Sequence, residues 1–124
     1  MRELMVIAAG GAVGASLRWL VAGAIQRATG GAFPWGTFVV NALGSFLLGF
    51  LFIWLLERSS VGGLARLAIT VGFLGAFTTF STFSYESLHL MREGAFGLAA
   101  ANVLGQVTVC LALAWLGVQL ARLI

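Results

Sequence analysis

The chain has 124 residues, of which 60% are hydrophobic and only 9% charged, with a mean hydropathy of +1.04. A soluble domain carries roughly a quarter charged residues, and a chain this short and this apolar cannot cover its own surface in water. The net charge of +3 comes from arginines scattered singly, with no lysine and no basic run, which excludes a nucleic-acid binder.

Four apolar segments follow one another, each long enough for a membrane span of roughly 20 residues. The first runs from about Leu4 to Ile25 and ends at Gln26-Arg27. It is read as a span and not as a signal peptide, because the run continues past Arg18, beyond an h-region of roughly 7–15 residues. The second begins near Pro34, a residue suited to the first turn of a helix, and runs to Leu56 before Glu57-Arg58. Ser59 to Gly63 form a connector. The third segment covers about Leu64 to Leu90, stopping at Arg92-Glu93-Gly94, and the fourth about Ala95 to Leu120. In a bilayer only helices or closed barrels satisfy the backbone, and segments of this length without strict alternation are helices. The expected architecture is all-α: one four-helix transmembrane domain over residues 1–124, its termini on one side. Trp19, Trp35, Trp54 and Trp115 fall toward span ends, where indole rings favour the headgroup region. Gly10 and Gly14, and likewise Gly97, Ala101 and Gly105, repeat every four residues, a spacing that lets helix backbones approach.

The charges vote weakly on orientation. Arg2, Arg58, Arg66 and Arg122 fall on the terminus side, Arg27 and Arg92 on the other. So soft a positive-inside bias points to insertion in both directions, hence to an antiparallel homodimer, the alternative being one fixed orientation with the termini in the cytoplasm.

Polar residues within spans are costly and seldom accidental. The densest set lies midway through the third span, Gly72 through Ser84. Its glycines and consecutive hydroxyl residues disfavour continuous helix, so a break is expected there, with freed carbonyls able to hold a cation. Phe77, Phe80 and Phe83 form a row three residues apart, beside Thr79, Thr82 and Glu86. Phenyl ring edges are electropositive, so with hydroxyl donors they suit the path of a small anion; the competing reading makes the rings lipid contacts and the hydroxyls partners of their own helix. Asn41 lies about two turns inside the second span. Asn102, Gln106 and Cys110 form a stripe on the fourth. Arg18 either snorkels to the headgroups or anchors a buried carboxylate or carbonyl. Glu86, beside His89, is expected near a span end and solvated. One histidine, one cysteine and no aspartate leave no material for a catalytic set, so an enzyme is not expected. The lone Cys110 forms no intrachain disulfide.

These residues resemble the small fluoride channels called Fluc or CrcB. The resemblance rests on Gly10-Gly11 through Gly14-Ala15 and Arg18, on Pro34-Trp35-Gly36-Thr37 leading to Val40-Asn41 and Gly44-Ser45-Phe46, and above all on Gly72-Phe73-Leu74-Gly75 through Thr78-Thr79-Phe80-Ser81-Thr82-Phe83-Ser84 and Glu86. It covers essentially the whole chain. The resemblance implies a dual-topology antiparallel homodimer in the inner (plasma) membrane of a prokaryotic cell. Fluoride would leave the cytoplasm passively through two pores, and the third helix would break mid-membrane. A structural central Na+ would sit on the backbone carbonyls of Gly75 and Thr78. It also implies a pore lined by Asn41, Phe80 and Phe83 with Thr79, Ser81 and Thr82, a polar track on the fourth helix from Asn102 and Gln106, with Cys110 a weaker donor, and structural roles for Arg18 and Glu86. A small four-helix cation exporter is the main rival. It would need a carboxylate embedded in the first span, where only Arg18 follows Glu3. A membrane assembly subunit without transport is the third class.

Overall fold

In the computed structural model, which describes residues 1–58 and 60–124 with the Arg58 side chain excepted, the chain is built from helices. Ser59, where the expected connector begins, lies outside the described residues. Helix α1 spans Arg2–Thr29 and α2 spans Trp35–Ile53, prolonged by a wide π-helical turn over Trp54–Arg58. The third span is composite: α3 (Gly63–Leu67), a π-helical segment Ala68–Leu74, the single turn α4 (Gly75–Phe77), then α5 (Phe80–Arg92). Helix α6 covers Phe96–Leu123. Four helical stretches, Arg2–Thr29, Trp35–Glu57, Gly63–Arg92 and Phe96–Leu123, are long and apolar enough to cross a membrane.

The break at residues 78 and 79 lets the third span change partner. Its first half packs against α1, its second half against α6, while α2 and α6 form the most extensive helix pair. The α1 contact depends on small residues: a Cβ on Gly14 would collide with the carbonyl of Phe73. On α6 the close approach occurs at Gly117, where a Cβ would meet the carbonyl of Phe46. Gly97, singled out by its spacing, meets nothing. Such backbone-to-backbone approach is how helices cohere in lipid, where no hydrophobic drive exists between them.

The α1–α2 loop is held by one side chain that the sequence did not single out. The Gln26 amide donates to the carbonyl of Phe33 at 3.1 Å, and its oxygen accepts from the Gly36 N–H at 3.1 Å. Gly30 and Gly31 turn the chain at positive φ, 66° and 75°, conformations that suit residues without a Cβ. Because α1 runs on to Thr29, Arg18 and the exposed Trp19 lie about three turns inside the helix.

Candidate functional site: the break in the third span

The break is stabilised by side chains that take over the backbone partners a helix would have supplied. Thr78 and Thr79 are extended, with φ/ψ of −87°/160° and −153°/113°. The Thr79 N–H donates to Asn41 Oδ1 at 2.7 Å, and Asn41 Nδ2 donates back to the Thr79 carbonyl at 3.0 Å. One carboxamide thus holds both polar groups of one residue. One turn on, the Thr82 N–H donates to Thr79 Oγ1 at 3.2 Å, which caps α5. In a continuous helix those two amides would bond the carbonyls of Gly75 and Thr78. Diverted to side chains, they leave both carbonyls outside the helical ladder. Unsatisfied groups at this depth each cost several kcal/mol, which is why the break needs Asn41 opposite it.

The freed oxygens are neutral backbone carbonyls. Gly75 is exposed, and a Cβ there would meet only the carbonyl of Thr70, at 3.8 Å. The Thr78 side chain faces elsewhere: its Oγ1 donates to the Leu74 carbonyl at 3.1 Å, and its methyl fills the space that a Cβ on Gly44 would take. The Thr78 carbonyl is approached by Arg18 Nη1 at 3.4 Å, so of the two expected roles for Arg18 the carbonyl anchor is the one seen.

From Asn41 a chain of hydrogen bonds runs across to α6 and back. Asn41 Nδ2 donates to Gln106 Oε1 at 2.7 Å, Gln106 Nε2 to Asn102 Oδ1 at 2.9 Å, and Asn102 Nδ2 to Ser87 Oγ at 2.9 Å. Ser87 Oγ closes the circuit on the carbonyl of Phe83 at 2.8 Å. All four side chains are buried, Asn102 completely. The spacing of Asn102 and Gln106 pointed to this stripe; Ser87 was missed, and its position eight residues after Thr79, two turns along the same face, is the signal that would have found it.

Two cavities meet at Thr79. One, of about 350 Å³, is lined by Asn41, Thr78, Thr79, Phe80, Phe83, Gln106 and Cys110 among others, none of them charged. The Phe80 and Phe83 rings lie 5.4 Å apart, tilted by 50°; Phe83 is buried, whereas Phe80 is 77% exposed. Phe77 leaves the expected row, because the break intervenes; it is buried and stacks on Phe73. The other cavity, of about 550 Å³, is polar and lies between α1, α2 and α5, with Arg18, Arg27, Thr37, Thr79, Thr82 and Glu86 in its wall. Glu86 is not freely solvated as expected. Thr37 Oγ1 donates to its Oε1 at 2.7 Å, while Oε2 is buried without a partner among the described residues. The reason is that α5 continues to Arg92, so Glu86 lies well inside the helix and faces α2. Ser81 and Asn102 line neither cavity.

The model of the family described as CrcB-like protein, Camphor Resistance (CrcB), matches residues 5–118. A protein of Geobacter sulfurreducens called fluoride-specific ion channel FluC is 46% identical over 122 residues, 98% of each chain. One of the same name from Magnetococcus marinus is 48% identical over 122 residues, 98% of this chain and 99% of its own. The chain belongs to the CrcB family. As a CrcB protein it is a multi-pass membrane protein with bacterial relatives, and its four long apolar helices are its candidate spans.

Proposed function

We propose that the chain is a fluoride-selective channel of the cell (inner) membrane, letting fluoride leave the cytoplasm passively. Its relatives are named as fluoride-specific ion channels and not as enzymes, and this chain is grouped with them. The observation that carries the reading is the uncharged cavity beside the break, where two phenyl rings and two carboxamides converge. Fluoride holds its water tightly, so a path must replace hydration with several weak donors. A fixed cation along it would bind the ion and slow its exit, because conduction needs moderate, multi-site binding. Ring edges, amide hydrogens and hydroxyls supply such contacts. In this reading the ion's path runs along the uncharged cavity, past Thr79 with its hydroxyl neighbours Thr82 and Ser81, to Phe80, Phe83 and Gln106.

The functional unit in this reading is an antiparallel homodimer of two single-domain, four-span chains, inserted in both orientations, with two pores. The 77% exposure of Phe80 supports it, since a ring so open in one chain becomes pore wall when a second copy covers it. A central Na+ on the two-fold axis would take the carbonyls of Gly75 and Thr78 from each chain. The fit is good, since these are the oxygens that the break frees from the helical ladder. Bound there, the ion supplies a fixed positive charge near the pores. Arg18, donating to the same Thr78 carbonyl, holds that oxygen in position.

The experiment is efflux from liposomes holding purified protein, read with a fluoride electrode, with chloride as the control anion. Fluoride should leave rapidly while chloride stays. Vesicles that retain fluoride, or release both ions alike, overturn the reading.

A further inference from the structure

The buried hydrogen-bond circuit has a direction that backbone groups impose. At one end stands the Thr79 N–H, which can only donate, so Asn41 must present Oδ1 to it. That turns Asn41 Nδ2 toward α6, where Gln106 must answer with Oε1. Gln106 Nε2 then faces Asn102 Oδ1, and Asn102 Nδ2 faces Ser87. At the other end stands the Phe83 carbonyl, which can only accept and takes the Ser87 hydroxyl hydrogen. No amide in the chain can turn over without setting oxygen against oxygen, or hydrogen against hydrogen, at its neighbour.

The hydrogens left over decide what reaches the cavity. Asn41 has two amide hydrogens and both are engaged, on the Thr79 carbonyl and on Gln106. Gln106 has one engaged, on Asn102, and one to spare. Gln106 lines the uncharged cavity; Asn102 and Ser87 line neither that cavity nor the polar one. We propose that Asn102 and Ser87 are positioning residues for anion passage, holding the Gln106 carboxamide with its oxygen turned to Asn41 and its spare N–H available to the cavity. Without them Gln106 Nε2 loses its acceptor, and a carboxamide held only through its oxygen at Asn41 is free to swing its N–H away from the cavity. This rests on the channel reading above and adds to it the source of one amide donor and the means by which that donor is aimed.

The test is a double-mutant cycle in fluoride efflux, run on purified protein that elutes from size exclusion as the unaltered chain does. Asn102→Leu and Gln106→Leu should each slow fluoride efflux by about tenfold, the effect of losing one aimed hydrogen bond. If Asn102 acts through Gln106, then Asn102→Leu added to Gln106→Leu should change the rate by less than about twofold, because coupled residues are not additive. Ser87→Ala, a smaller change at the far end of the circuit, should slow efflux in the unaltered background and do nothing in the Gln106→Leu background. Losses that multiply, or single variants at the unaltered rate, overturn the inference and leave the channel reading intact. Unaltered protein that carries no fluoride overturns both.

Discussion

At Asn41 a single carboxamide does what a whole helical turn would otherwise do, and its substitution separates shape from chemistry. Asn41→Asp keeps the acceptor for the Thr79 N–H but sets a second carboxylate oxygen against the Thr79 carbonyl and Gln106 Oε1. The loss is two donors, each leaving a buried acceptor unmet, at about 1–3 kcal/mol per group. Fluoride efflux should fall by about tenfold or more, and the thermal midpoint of the purified protein should fall with it. Phe80 and Phe83 make a contrasting pair. Phe80→Ile replaces a ring that its own chain leaves exposed, so efflux should drop by about tenfold through loss of the electropositive edge, with a smaller fall in thermal stability than Phe83→Ile causes. Phe83→Ile touches a buried ring, so both efflux and thermal stability should fall. Unchanged efflux in both isoleucine variants would make these rings packing residues.

At the scale of the helices, the fold depends on where backbones touch. Gly14 meets the Phe73 carbonyl on the segment leading into the break, whereas Gly97 meets nothing. Gly14→Ala should therefore destabilise the protein by about 1–3 kcal/mol through overpacking against backbone that cannot yield. Gly97→Ala should be neutral, or stabilising by up to about 1 kcal/mol from helix propensity alone. Thermal unfolding in detergent would measure both; equal effects would refute the packing account. The contrast also marks what the sequence could express. Four apolar segments and a glycine- and threonine-rich centre announced the spans and the break, because lipid imposes length and threonine resists the helix. Four-residue glycine spacing could not say which ridge finds a partner, since that depends on the neighbouring backbone. The same limit misplaced Glu86: its distance from a chain-order boundary said nothing of Thr37, which lies 49 residues away in sequence yet donates to it. The stripe of Asn102 and Gln106 was legible because both residues are dear to bury and lie one turn apart, but Ser87 was hidden among the other hydroxyls of its helix.

For the whole molecule, the arrangement of carbonyls and charges makes two demands on assembly. If the Gly75 and Thr78 oxygens of two chains hold sodium, Thr78→Ala should leave the ion in place, because the side chain packs on Gly44 and the ligand is backbone. A sodium-dependent gain in thermal midpoint, equal in the variant and the unaltered chain, is the expected result; its loss on removing the hydroxyl would move the ligand to the side chain. Insertion is tested by fusing the C-terminus to reporters active only in the cytoplasm or only outside it. Both should give signal if the soft arginine bias admits two orientations, and signal from one alone would exclude the antiparallel pair.

The π-helical stretch over Ala68–Leu74 carries one more consequence, for how the chain tolerates changes of length. A π turn is an α turn holding one surplus residue, so this stretch amounts to an insertion that the helix has absorbed. Removing a codon there, Ile69 for instance, should let the turn relax to ordinary α-helix and return a folded protein that still passes fluoride. Removing the codon for Thr79 offers no such relaxation, because the residue lost is the one that Asn41 holds by both backbone groups, and efflux should be abolished. Length variation in this third span is thereby steered to one side of the break, where the surplus residue already sits.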